Sequence, residues 1–512
     1  MIAVTQSSFS LRSPRLRLTV LAVAVFVSYA YFYQAGGWNQ NSRFALIEAI
    51  TETGSLRIDP YRHHTGDLAL WDGHYYSDKA PGEVFTALPF VAAARPILRW
   101  IGIDPGGYKG IAILSYLATV FSEGIGGLLA VLALFFVARR WGASEGGALF
   151  AATAFGFATP AWCYATVMMG HALAAAGLTI AFLAAVSLAD ERSPRREAAT
   201  ALLVGLAAGW ATATEFPAAI PAAILAALAV AESWRRGWTS RRRVALWVTA
   251  GALACAALLM AYNTASFGSP FHIGYESEER FPDMRIGFFG ITHPHQYALN
   301  QILFGAYRGL LPLAPLMAVA PLALAWLWYR RADARKGIVA GALIVVYYVL
   351  LNASYDYWSG GWAYGPRHIV PALPFLCLGF GLAWTEGRRL LRGSLLALWA
   401  VGAALSLVAV STTAQPPSNY RKPVTQLLLP SFLAGHLALN QTTFLERSPD
   451  VPPKPNAFYR YSWNLGLVSG LHGRASLIPL ALLWIAAVFS WRALDRAFPR
   501  IRAPGTPPGT MG

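Results

Sequence analysis

The sequence predicts an all-α polytopic membrane protein with about twelve transmembrane helices, each of roughly 20 apolar residues. Three observations predict it. Hydrophobic residues fill 56% of the 512 positions and charged residues 13%, which is too little polar surface to solvate several soluble domains. Apolar runs of spanning length recur from end to end, and short clusters of arginine punctuate them. A soluble enzyme and a single-span receptor are excluded. The net charge of +16 then reads as topology signals in the connections, so no nucleic-acid partner is expected.

Residues 1–34 place Arg12, Arg15 and Arg17 ahead of an apolar run with no small-x-small cleavage site, which predicts an uncleaved first span. Residues 35–108 form a long first outer loop. Within it, 42–53 reads as an amphipathic surface helix: Phe44, Ile47 and Ile50 share one face, Glu48 and Glu52 lie elsewhere, and Gly54 is a natural stop. Turn residues Pro60, Gly66 and Gly73 follow. The stretch 81–100 is apolar but broken by Glu83, Arg95, Pro96 and Arg99, and it is assigned to the outer interface because a span there would invert every later connection.

The membrane core is 109–412, with spans expected at about 110–138, 146–165, 170–189, 198–214, 216–232, 244–264, 309–329, 338–354, 369–385 and 394–412. Its outer loops are 266–308 and 355–368. An outer segment at 413–474 follows, and 475–512 holds the last span and a Pro-rich tail expected to be disordered. Connections assigned inside hold 24 of the 41 basic residues although they are much the shorter set, so both termini are placed in the cytoplasm. All ten histidines and most acidic residues fall on the outer side. Any chemistry therefore faces outward. Only five of the basic residues are lysines, and Cys163, Cys255 and Cys377 lack C-x-x-C spacing and read as buried thiols.

The segment 39–82 contains N-Q-N-S-R-F, G-S-L-R-I-D-P-Y and D-G-H-Y-Y-S-D-K-A-P-G. It resembles the first outer loop of the GT-C superfamily of membrane glycosyltransferases, most nearly the protein O-mannosyltransferases and lipid A aminoarabinose transferases. Tyr76, Asp78, Lys79 and Pro81 match the family's aromatic-acid-Lys-Pro-Pro motif, with Ala80 in place of its first proline. Y-N-T-A-S-F-G-S-P from Tyr262, Y-R-G-L-L-P-L-A-P from Tyr307 and W-S-G-G-W-A-Y-G-P-R-H from Trp358 look like uncharacterised bacterial relatives. Where the family carries an acidic pair whose first Asp is the catalytic base, this chain has Gln40 and Asn41, and an amide cannot take the proton.

The resemblance implies a GT-C fold with interfacial helices in the first periplasmic loop, a bacterial inner-membrane location and a site on the periplasmic face. It implies inverting transfer of a hexosyl or pentosyl group from a polyprenyl-phosphate donor to a lipid, glycan or protein hydroxyl. Such a site needs a carboxylate to deprotonate the acceptor, cations for the departing phosphate and a groove for lipid. Asp72, Asp59 and Asp67 are the candidate bases, Asp72 first because it precedes Lys79 by seven residues in an aromatic-rich turn. Lys79, which matches the family motif, and Arg367 and Arg308 are the candidate phosphate ligands.

Tyr76, Trp358, Trp362 and Tyr364 are candidates for contact with sugar or acceptor, although an interfacial aromatic belt explains such residues equally well. Glu123, His171 and Glu215 lie inside spans, where a charge ordinarily faces a partner or a cavity; Glu123 is the better candidate, because Glu215, just before Pro217 at an outer turn, is explained as interfacial. His74, with His63, His64, His293 and His295, raises a divalent metal, but no matching carboxylate spacing supports one and no metal ligand is assigned. The competing readings are a lipid or small-molecule transporter or flippase, and a non-catalytic relative. Few midspan charges and no visible repeat speak against transport.

Overall fold

The computed structural model describes residues 3–439 and 462–497. Expectations for 440–461, within the outer segment, and for the Pro-rich tail lie outside the described residues. The principal helices, numbered in chain order, are α1 Ala3–Ala30, α2 Trp38–Thr53, α3 Gly82–Trp100, α4 Tyr108–Arg140, α5 Glu145–Phe157, α6 His171–Ser187, α7 Pro194–Thr214 and α8 Phe216–Arg236. They continue with α9 Trp238–Phe267, α10 Gln296–Phe304, α11 Ala320–Arg330, α12 Arg335–Ser354, α13 Arg367–Glu386, α14 Arg389–Thr412, α15 Val424–Ala434 and α16 Ile478–Ala497. Strand β1, Phe32–Tyr33, pairs with β4, Trp463–Asn464, while β2, Ala69–Trp71, and β3, His74–Tyr76, form a hairpin.

Seven of the described helical segments are long and apolar enough to cross a membrane, and α6 and α15 are shorter apolar helices. The span expected at 170–189 is the continuous helix α6, but the one expected at 146–165 is broken. Residues 158–170 leave the helix apart from one turn at Ala161–Tyr164, yet the whole stretch is buried. Irregular backbone at that depth requires partners from inside the protein, and part of them comes from the Glu123 carboxylate described below. The second expected span is one helix, α4, interrupted by a π turn at Val120–Gly124.

Helix α2 starts four residues before its expected position and stops at Gly54, whose φ of 66° lets its N–H close on Ile50. It does not lie on a surface. Every residue from Gln40 to Ala49 is buried, because the 59–76 loop roofs it: Asn41 Nδ2 donates to His64 O at 2.6 Å and Thr65 Oγ1 to Trp38 O at 2.7 Å. The amphipathic pattern hid this, since polar side chains on the second face are paired within the protein rather than solvated. Helix α3 carries Pro89 and Pro96 inside it and is not among the seven segments.

The short connections meet at one end of the bundle, tied by Arg17–Glu145, Arg140–Asp190, Arg243–Glu197 and Arg330–Glu386 ion pairs. The long connections meet at the other. There β1 and β4 pair, Tyr307 Oη donates to Ser418 O at 3.0 Å, and Thr292 N donates to Ser354 O at 2.9 Å. Polar clusters gather beneath this loop end.

Candidate functional site

The β2–β3 hairpin delivers S-D-K into the interior. Lys79 Nζ lies 2.6 Å from Asp78 Oδ2 and 2.9 Å from Asp67 Oδ2, with the Tyr275 ring centroid at 5.5 Å. Ser42 of α2 donates to Asp78 Oδ1 at 3.4 Å. The 268–295 loop closes directly over this group: a Cβ on Gly274 would stand 2.7 Å from Asp78 Cα. Burial raises the Asp78 carboxyl above the ordinary carboxylate range, and the Lys79 ammonium opposes it. Burial works against the Lys79 charge, but Asp67 and Asp78 outweigh it and hold the ammonium more firmly protonated than an ordinary lysine.

A second ionic group is centred on Arg43 of α2. Its guanidinium reaches Glu83 Oε2 at 2.9 Å and Glu215 Oε1 at 2.8 Å, and it also donates to Asn39. Glu83 sits at the start of α3, where Gly82 permits contact: a Cβ there would meet the backbone of Ala213 and Thr214 at 2.7 Å. That contact presses α3 onto the end of α7, one residue before Glu215. Ser122 Oγ donates to Glu83 Oε1 at 3.2 Å. On the π turn, Glu123 accepts N–H bonds from Gly170 at 2.9 Å, Ala172 at 2.7 Å and Leu173 at 3.3 Å, and so caps α6.

Arg367 opens α13. Its Nε is buried and has no hydrogen-bond partner among the described residues. His171 Nδ1 lies 3.9 Å from Glu215 Oε2, and the His171 ring is 5.9 Å from His368. Burial raises the Glu215 carboxyl, while Arg43, Arg367 and Lys79 all pull it down. Arg308 has a different position: fully buried, it donates to Ser359 O at 3.1 Å and Gly361 O at 2.6 Å, so its guanidinium holds the backbone of the loop that carries Arg367.

The remaining sequence candidates are dispersed. Asp72 occupies the exposed tip of the β2–β3 hairpin with φ of 49°, outside the buried groups. Asp59 accepts from Tyr75 N at 2.8 Å and lies 3.0 Å from His74 Nδ1, which stabilises the hairpin base. Tyr76 packs on Phe267 at 5.3 Å, Trp358 lies between Tyr297 and Tyr307, Trp362 is half-buried, and Tyr364 is buried with its carbonyl accepting from Tyr164 Oη. No group of three metal-ligating side chains occurs among the described residues; His293 and His295 face each other at 4.2 Å without a carboxylate. Gln40 is buried with its amide nitrogen unpaired.

Sequence reasoning missed Arg43, Asp78 and Glu83 as site residues, and it ranked Glu215 below Glu123. A charge on the inner turns of an apolar helix was the available signal for Arg43, and S-D-K-A-P-G-E held Asp78 and Glu83 beside Lys79. Glu215, before Pro217 at an outer turn, reads as interfacial until α3 is seen against it.

No protein-family model matches the sequence, and no curated protein matches it significantly. Among solved structures, ArnT from Cupriavidus metallidurans in the apo state matches with a TM-score of 0.50 at 16% identity, over 96% of this chain and 78% of that one. The same protein bound to undecaprenyl phosphate matches with a TM-score of 0.49 at 17% identity, over 94% and 77%. The likeness extends along nearly the whole chain, and it is one of architecture: this protein shares the overall fold of ArnT.

Proposed function

We propose that this protein is an integral-membrane glycosyltransferase that moves a sugar from a polyprenyl-phosphate donor to an acceptor hydroxyl at the periplasmic face, with both termini in the cytoplasm. One observation carries the reading: beneath the loop end of an ArnT-like fold, Arg367 keeps a buried guanidinium nitrogen with no hydrogen-bond partner among the described residues. Arg367 offers the planar fork that suits a phosphate, and Lys79 a point charge. Together they neutralise the charge that develops as the sugar–phosphate bond breaks. Arg308 positions the Arg367 loop and is not a ligand itself.

The chemistry needs no metal, since a polyprenyl phosphate is a competent leaving group once two cations face it. Acceptor and sugar are set by pocket shape. The 35–108 loop and the 355–368 loop are the two walls of the proposed site. The bundle's basic end is assigned to the cytoplasm because it holds the arginine clusters.

The test is transfer of radiolabelled sugar from a panel of synthetic polyprenyl-phosphate donors into a membrane extract, with wild type, Lys79→Ala and Arg367→Ala. Wild-type transfer with weakened donor binding in both variants supports the reading. Donor-independent movement of lipid across proteoliposomes, without transfer, would favour a flippase instead.

A further inference from the structure

We propose that Glu215 is the general base of this transfer, taking the acceptor hydroxyl proton on Oε2; the assignment rests on the glycosyltransferase reading above. It follows from what each carboxylate of the buried groups is already doing. Glu123 spends both oxygens on three backbone N–H groups. Glu83 is fully buried, with one oxygen on Arg43 and the other on Ser122. Asp78 is 1% exposed and divided between Lys79 and Ser42. Asp67 is bound at 2.9 Å to Lys79, the cation that the phosphate must engage.

Glu215 alone in the Arg43 group retains reach. Its side chain is 14% exposed against 0% for Glu83, Oε1 is fixed by Arg43 at 2.8 Å, and the nearest ionisable partner of Oε2 is His171 at 3.9 Å. The position is enforced by backbone. A Cβ on Gly170 would stand 2.4 Å from Glu215 Oε1 and 3.1 Å from Arg43 Nη2, so only glycine, here with φ of 85°, lets the chain pass this close. When Glu215 accepts a proton, Arg43 still has Glu83 at 2.9 Å, and no buried guanidinium is left unpaired.

The step balances without a co-reactant. As the acceptor oxygen bonds to the anomeric carbon, its proton passes to Glu215 Oε2. The carbon–oxygen bond to phosphate breaks, and its electron pair leaves with the polyprenyl phosphate between Lys79 and Arg367. A carboxylate supplied by the α7–α8 turn replaces the one that Gln40 cannot provide.

Glu215→Gln retains an oxygen for Arg43 and so preserves the ion-pair geometry. The expected result is a fall in kcat of about 10²-fold or more with donor KM and thermal midpoint close to wild type. Glu215→Asp should keep more turnover than Glu215→Gln. Wild-type kcat in Glu215→Gln overturns the proposal, as does a change confined to donor KM, and as does loss of turnover with intact donor binding in Asp67→Asn but not in Glu215→Gln. A wild type that transfers from no donor in the panel overturns the glycosyltransferase reading itself, which is a separate result.

Discussion

Glu123 and Gly170 stand 47 positions apart in sequence and meet at 2.9 Å, carboxylate oxygen to backbone N–H. The π turn at Val120–Gly124 presents the Glu123 side chain toward the start of α6, where Ala172 and Leu173 add two further donors. The irregular backbone of 158–170 therefore ends in a capped helix, and the Gly170 approach fixes Arg43 and Glu215 as well. Glu123→Ala should strand three buried N–H groups, at about 1–3 kcal/mol for each that finds no new partner. We expect a clear fall in thermal stability in detergent, with a smaller fall for Glu123→Gln, whose amide oxygen still accepts. Equal midpoints for wild type and Glu123→Ala would show that the cap contributes nothing.

The two arginines near the 355–368 loop should separate cleanly. Arg308 is committed to the Ser359 and Gly361 carbonyls, so Arg308→Met should destabilise the fold by roughly 1–3 kcal/mol and weaken donor binding only through the displaced loop. Arg367 has a buried nitrogen with nothing to satisfy, so Arg367→Met should leave the thermal midpoint near wild type or above it. Its cost should appear as about tenfold weaker donor binding, corresponding to about 1.4 kcal/mol. Unfolding curves and donor titrations on the two variants decide this, and the opposite pairing of effects would refute it.

Lys79 and Asp78 offer a thermodynamic cycle. Removing the ammonium alone in Lys79→Met leaves two carboxylates facing each other in a buried setting, at about 3–5 kcal/mol. Removing the Asp78 charge as well should recover much of that loss, because one carboxylate is then neutralised in advance. The double variant Lys79→Met/Asp78→Asn should therefore unfold at a higher temperature than Lys79→Met, with a coupling of about 0.5–3 kcal/mol. Additive losses would mean the three groups do not interact as their distances indicate.

The multi-span membrane class was legible because it depends on local chemistry, apolar length, and the motif around one of five lysines pointed to a residue that the structure buries against Asp67 and Asp78. Asp72 was favoured because seven residues separate it from Lys79, but a hairpin reverses the chain at Gly73, and sequence proximity there sends Asp72 to the surface. Arg43, Glu83, Glu123 and Glu215 come from four segments and acquire meaning only when α3 is pressed against the end of α7. Nothing local in the sequence encodes that contact. The span at 146–165 looked continuous for a related reason: hydropathy registers burial, and 158–165 is buried with only one helical turn.

Glu48 carries a pH prediction that leaves the proposed site untouched. It lies on α2, 2% exposed, with Oε2 unpaired, and its neighbours are Glu52 and Arg95, which pair with each other at 2.5 Å. Burial pushes the Glu48 carboxyl up to about 8, Glu52 adds to the rise and Arg95 opposes it. Between the ordinary glutamate value of 4.5 and about 8, the folded chain holds a proton that the unfolded chain has released. Stability contributed by this group is thus greatest at the acid end of the window and declines as pH rises through it. Glu48→Gln is neutral in both states and has no such decline. The difference in unfolding free energy between Glu48→Gln and wild type should grow in favour of the variant from pH 5 to pH 8.5, by an amount on the order of a few kcal/mol. Subtracting wild type from variant removes the contributions of Asp78 and Glu83, which the substitution does not touch. Parallel curves for the two proteins would show that Glu48 is ionised in the folded state, with Arg95 shared between it and Glu52.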